Sequence, residues 1–268
     1  VDSRGLRPDG TIAREGSLSR VAPTFRPVVE AAGARIAATF GADRMHSAYL
    51  YGSVPRGTAT PGVSDLDVLL VLREEPADSD RADAQAIEND LDAAFDQIDG
   101  AAIGLASAPD LLSERERFDG GFFVACLCTL LLGEDLAANL PRYRPTSLLA
   151  RETNGDLHLL LPQWRESAGQ IGTEADRRTL GRRVGRRLVR TVFTLVMPRW
   201  GGWTSDLRRA AEIAARYYPE RSEQFRLAAA TGLGSRADAD VMRILLDDLG
   251  RWLVTEYEAA HGRKAPRA

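Results

Sequence analysis

The sequence predicts an α+β chain. A small mixed sheet flanked by helices occupies residues 1–118, and an all-helical domain occupies residues 119–268. Three observations carry this expectation. Two short apolar runs of strand length, 46–51 and 66–72, stand on either side of a Gly-Ser turn. The segments flanking them, 28–40 and 78–98, repeat their apolar residues at helical spacing. From Phe122 onward the pattern is helical almost throughout, broken only at 141–145, near Pro162 and at 198–203.

Each element has a local reason. Residues 1–20 read as an arm with a hairpin around Pro8-Asp9-Gly10, a turn-forming triplet. The alanine-rich stretch 28–40 forms a helix, with Gly41 as its stop. A strand at 46–51 leads into Gly52-Ser53, and a second follows at 66–72. In the acidic segment 78–98, Ala86, Ile87, Leu91, Ala94 and Phe95 line one helical face. Residues 101–106 make a third strand. The change to helical pattern places the domain boundary near Asp119-Gly120-Gly121.

The chemistry concentrates in Tyr51-Gly52-Ser53-Val54-Pro55-Arg56-Gly57 and Ser64-Asp65-Leu66-Asp67-Val68-Leu69-Leu70. Strand side chains alternate faces, so Asp65 and Asp67 share one face while Leu66, Val68 and Leu70 fill the other. Two carboxylates side by side repel unless a cation lies between them, and oxygen-rich sites suit magnesium or manganese. Gly52 and Ser53 allow backbone N–H groups to approach a phosphate closely, and Gly57 permits a tight turn. A metal-binding carboxylate pair beside a phosphate cradle is the equipment of nucleotidyl transfer.

The order Gly-Ser-x-x-Arg-Gly, a short loop, then Ser-Asp-x-Asp on a strand resembles the nucleotidyltransferase superfamily of DNA polymerase β. Its small bacterial members modify antibiotics. The interval from Ser53 to Asp65 is one residue longer than in the commonest of these, with Gly62 as the insertion. The second half is similar to the helical domain of streptomycin/spectinomycin-type adenylyltransferases. That likeness runs through 187–196, Gly201-Gly202-Trp203-Thr204-Ser205, Ala210-Ala211-Glu212-Ile213-Ala214 and Tyr217-Tyr218-Pro219. The resemblance implies magnesium-dependent transfer of a nucleoside monophosphate, AMP from ATP or its counterpart from another triphosphate, onto a hydroxyl of a small, aminoglycoside-like molecule. It also implies a two-metal site on Asp65 and Asp67, nucleotide binding by Gly52, Ser53, Arg56 and Gly57, and a substrate cleft facing the helical half. Some small relatives pair, so a homodimer is left open.

Two departures from the family matter. Asp206 stands where a lysine follows the serine, so Arg199 or Arg208 would have to hold the phosphate there. The superfamily also carries a third carboxylate on the strand beside Asp-x-Asp, but 101–106 offers only Ala102 and Gly104 on one face and Ile103 and Leu105 on the other. Asp99 precedes that strand and Asp110 follows it. Glu134, with Asp135 next to it, is the candidate base at the entry to the helical half. The alternatives to the small-molecule enzyme are a nucleotide-binding regulatory protein with weak or lost transfer, and transfer onto RNA or protein.

Composition narrows the field. The net charge of −3 and a pI near 5.8 argue against a general nucleic-acid binder. Basic residues are almost all arginine, Lys264 being the only lysine, so no lysine in the body of the chain serves as base or phosphate ligand. The apolar run 122–132 is too short to cross a membrane, and nothing before Gly41 reads as an export signal. Cys126 and Cys128, at i and i+2 of a helix, point apart and read as reduced core thiols of a cytoplasmic protein. Arg177, Arg178, Arg182, Arg183, Arg186, Arg187 and Arg190 crowd one helix, either as a solvated face or as a grip on phosphate. Trp200 and Trp203 read as packing aromatics or as a stacking surface for a ligand ring.

Overall fold

The computed structural model describes residues 4–234 and 237–265. Residues 13–143 form one compact unit, and the described residues on either side form a second.

The first unit is built on a four-stranded mixed sheet of order β3-β2-β1-β4, with β1 Met45–Tyr51, β2 Leu66–Leu72, β3 Ala101–Ser107 and β4 Thr129–Gly133. β1 runs antiparallel to β2 and β4, and β2 runs parallel to β3. Helix α1 (Arg26–Arg44) precedes β1, the short α2 (Ser53–Arg56) follows it, and α3 (Asp78–Ala94) follows β2. α1 and α3 cover one face. There Leu50, Leu66, Val68, Leu70 and Ile103 join Val28, Ala32 and Ile36 of α1 and Ala84, Ile87 and Leu91 of α3 in one core. Each fully buried aliphatic side chain in it contributes roughly 1.5–3 kcal/mol. Gly41, with φ 58° and ψ 175°, interrupts α1 where the sequence places its stop. α3 ends at Ala94, four residues short of the predicted 98, with Phe95 extended at its C-cap.

The other face is covered differently. Tyr49 and Val71 pack under Ala108, Leu111, Val124, Cys128 and Leu136. Part of that cover departs from the sequence expectation. The run 122–132 is not one helix: Phe123–Leu127 is a single π turn, and Thr129–Gly133 is a strand that extends the sheet beside β1. Cys126 therefore lies in the turn and Cys128 in extended backbone. Both thiols are buried and free, and burial pushes that of Cys128 far up, which keeps it protonated.

In the second unit all the elements among the described residues are helical. The 27-residue helix Glu174–Trp200 forms its spine, burying Val184, Leu188, Val192, Phe193 and Val196. It crosses Ser222–Gly232 closely, since a Cβ on Gly185 would sit 2.5 Å from the Ala228 carbonyl oxygen. Trp200 and Trp203 both stand edge-on to Phe193, with centroids 5.8 and 5.7 Å away. On the arginine-rich helix, Arg187 pairs with Asp156 and Arg186 donates to the Gly232 carbonyl. The N-terminal arm makes the expected hairpin. Leu6 bridges Ile12, Arg7 N–H donates to Thr11 O at 2.8 Å, and the Asp9 carboxylate accepts from the Thr11 amide. No helix among the described residues is long and apolar enough to cross a membrane.

Candidate active site

The Gly52-Ser53 turn leaves β1 at Tyr51. Gly52 has φ 81° and ψ −149°, a region nearly closed to residues with a Cβ. It caps the short helix α2, whose Val54 and Pro55 side chains are buried and fix the turn on the sheet. Gly57, at φ 74°, closes α2 and donates its N–H to Ser53 O and Val54 O. Ser53 is half-buried. Arg56 stands 3.9 Å from the Glu15 carboxylate, and the segment carrying Glu15 is itself tied to the unit by Glu15 N–H to Cys126 O and Ser17 N–H to Pro55 O.

The register brings the carboxylate pair to this turn. Asp67 lies directly opposite Tyr51 in the β1–β2 ladder. Around the turn its carboxylate comes so close to Gly52 that a Cβ there would meet Asp67 Oδ2 at 2.5 Å. Asp65 precedes β2 by one residue and is likewise half-buried, and alternation puts it on the Asp67 face. Gly52, Ser53, Asp65 and Asp67 are thus gathered at one end of the sheet, with Arg56 and Gly57 at the far end of α2. A side chain at position 52 would fill the space between the turn and the carboxylate. The donor set there is carboxylate oxygen alone, which fits a magnesium ion.

Among the described residues, β3 brings no third acid to the pair. The parallel register sets Ala102 beside Asp67 and Gly104 beside Leu69, and both small residues are exposed. Asp99 N–H donates to Ser64 O and Gly100 O accepts from Leu66 N–H, so Asp99 is out of phase with the pair and exposed. Asp110 accepts from Arg115 at 2.7 Å. Among the described residues, no group of three His, Cys, Asp or Glu side chains could hold a metal ion.

Glu134 is not brought to the site. Its N–H reaches back to His46 O beside the start of β1, whereas Asp67 faces Tyr51 at the strand's end. Five residues of strand separate those levels, roughly 15 Å. Its neighbour Asp135 has a structural task. It receives hydrogen bonds from Arg14 Nη1 at 2.7 Å and Nη2 at 3.0 Å, from Tyr49 Oη at 3.3 Å, and from the Ala137 amide. Burial pushes the Asp135 carboxyl up, but the Arg14 hydrogen bond and the other donors outweigh it and hold it below its ordinary value.

One neighbour of the pair went unassigned in the sequence. Tyr51 stacks edge-on to Phe123 with centroids 5.0 Å apart. Burial, then the charge of Asp67, pushes its hydroxyl up to about 12, so it stays a proton donor beside Asp67. Its place immediately before Gly52, on the strand that pairs with Asp-x-Asp, was the available signal. In the helical unit, Asp206 accepts from the Arg209 amide at 2.7 Å and caps Leu207–Ala215. The Arg199 guanidinium lies over the rings of Tyr217 and Tyr218, at 4.9 and 5.5 Å.

Residues 43–99, which hold the turn and both aspartates, match the family model described as nucleotidyltransferase domain. The chain is also similar to the crystal structure of spectinomycin adenyltransferase AAD(9) from Enterococcus faecialis, solved with ATP and spectinomycin. The TM-score is 0.56 and the identity 14%, over 87% of this chain and 98% of that one. No curated protein matches the chain in sequence. An α+β sheet unit carrying that match, joined to a helical unit, gives the chain the nucleotidyltransferase fold.

Proposed function

We propose that this protein transfers a nucleoside monophosphate from a nucleoside triphosphate, ATP by analogy with the neighbour's ligand, onto a hydroxyl of a small aminoglycoside-like molecule. The observation that carries the reading is the close approach of the Gly52 turn to Asp67, with Gly52 and Asp67 Oδ2 too close to admit a Cβ. In this reading Ser53 and the N–H groups opening α2 bind the terminal phosphates, and Arg56 braces the turn. Asp65 and Asp67 hold magnesium. Bound there, the ion offsets phosphate charge and favours departure of pyrophosphate. The acceptor oxygen forms its bond to the α-phosphorus as the bond from the α-phosphorus to the bridging oxygen breaks; pyrophosphate leaves with that electron pair, and the hydroxyl proton passes to water. The chain's contribution is positioning and charge neutralisation, without a covalent intermediate.

Calorimetry with ATP, GTP, CTP and UTP, with and without magnesium, tests the binding half. Pyrophosphate release with spectinomycin, other aminoglycosides and simple polyols tests transfer. Absence of binding to every triphosphate, or unchanged binding in a D65A/D67A double variant, refutes the reading. Exposed Ala102 in the register position beside Asp67 favours a second reading, a nucleotide-binding regulatory protein with weak or lost transfer. Tight magnesium-dependent binding with no pyrophosphate release across acceptors selects it.

A further inference from the structure

Helix Leu207–Ala215 carries a charge pattern that the nucleotide reading does not use. A hollow of about 310 Å³ is lined by Arg4, Trp200, Arg209, Glu212, Ile213 and Arg216. A second, of about 330 Å³, adjoins it through Glu212 and adds Arg208 and Arg226. Among the described residues, the two hollows together are lined by five guanidinium groups and by one carboxylate, Glu212, which they share. The carboxylate is already engaged, because Glu212 accepts from Arg226 Nε at 2.7 Å and Nη2 at 3.1 Å. Several guanidinium groups lining one hollow raise the positive potential that an arriving anion meets.

The first hollow is also shaped. Trp200 is held by its edge-on contact with Phe193, and it positions two of the arginines. Arg4 Nη1 donates to the Trp200 carbonyl at 3.0 Å, and the Arg209 guanidinium lies 5.8 Å from the centroid of the Trp200 ring. Arg216, two helical turns beyond Arg209, returns to the same helix face. Planar guanidinium forks match the oxygens of phosphate and carboxylate groups, which ammonium groups do less specifically.

We propose that the hollow bounded by Arg4, Arg209 and Arg216 is a binding site for a small molecule bearing at least two oxyanion groups, a diphosphate or a polycarboxylate. A volume near 310 Å³ suits such a ligand, and the neighbouring Glu212 repels a longer anionic polymer that would run on into the second hollow.

Calorimetry of the full chain with pyrophosphate and with citrate, in EDTA so that no divalent ion supports binding at Asp65 and Asp67, tests the site. The wild type should bind at least one of the two, with affinity falling steeply as salt rises. R209A/R216A should weaken that binding roughly tenfold or more, the scale for losing charge-assisted hydrogen bonds. Both arginines are exposed, and a circular-dichroism melt confirms that the variant folds. E212Q should tighten binding. The difference between pyrophosphate and citrate identifies the oxyanion class. No binding of either anion, equal affinity in the folded double variant, or binding of an RNA oligonucleotide alone overturns the proposal. None of these outcomes depends on whether transfer activity is found.

Discussion

Replacing Gly52 with alanine separates the geometry of the site from the stability of the fold. Two penalties act together. The backbone at φ 81° and ψ −149° becomes strained by about 1–3 kcal/mol once a Cβ is present. The new methyl would also stand 2.5 Å from Asp67 Oδ2, where ordinary contact begins at 3.4 Å, so the carboxylate or the turn must retreat by nearly 1 Å. A displacement of that size at a reacting centre costs on the order of a hundredfold in rate. Gly62→Ala is the control, since Gly62 shares the positive φ, 71°, and a methyl added there would meet no atom within 4 Å. We expect Gly52→Ala to lose about 2 kcal/mol in urea unfolding and roughly a hundredfold in magnesium–triphosphate affinity or transfer. Gly62→Ala should lose about 1 kcal/mol and keep wild-type binding. A folded Gly52→Ala protein that binds nucleotide like the wild type would show that the turn and Asp67 do not form one site.

Two further outcomes follow from the same unit. Ala102→Asp places an acid beside Asp67 on an exposed position of β3, so it should strengthen divalent-ion binding, read by calorimetry with manganese, and raise any transfer rate; unchanged metal affinity counts against the register-based account of the missing carboxylate. Asp135→Asn should remove about 1 kcal/mol of stability, a figure discounted for the partial exposure of both partners. Because the folded-state carboxyl sits below its ordinary 3.8, the wild-type advantage is fully present above that value and disappears as pH falls through the depressed one. The difference between the urea midpoints of the two proteins should therefore be full at pH 7, begin to shrink below about pH 4 and vanish only below the depressed value.

The parts of this fold that could be read from the sequence are those whose evidence is local. β2 was legible because Leu66, Val68, Leu70 and Leu72 face a core while Asp65 and Asp67 mark the other side, and α3 because its apolar residues keep a helical period against acidic ones. The run 122–132 was not legible, since a continuous apolar stretch of that length suits a buried helix and a buried strand equally. Pairing with β1, a contact across some 80 residues of chain, decides in favour of the strand at Thr129–Gly133. Glu134 fell with it. Its sequence neighbourhood is that of a helix entry, but the end of β4 carries it to the His46 level of the sheet. Ala102 was different: the sequence already showed a strand without an acid, and the parallel register only had to place that absence beside Asp67.

The location of the candidate site follows from where the cover of the sheet stops. One face is apolar along its whole length and is closed by α1 and α3. On the other, Tyr49 and Val71 are sealed by Leu111, Val124, Cys128 and Leu136, but towards Tyr51 and Asp67 that cover thins. Ala102 and Gly104 are exposed there, and the carboxylates are only half-buried. Two acids under a complete apolar lid would suffer a desolvation penalty that their mutual repulsion would worsen. At the uncovered end they stay solvated, in the reading above, until a cation and a polyphosphate replace the water. The small side chains of β3 have two effects: they leave the floor open for a ligand, and they deprive the pair of a third carboxylate. On this argument room for the ligand and weakness of the metal site come from the same residues, so substitutions at Ala102 that strengthen ion binding should narrow the range of acceptors the protein admits.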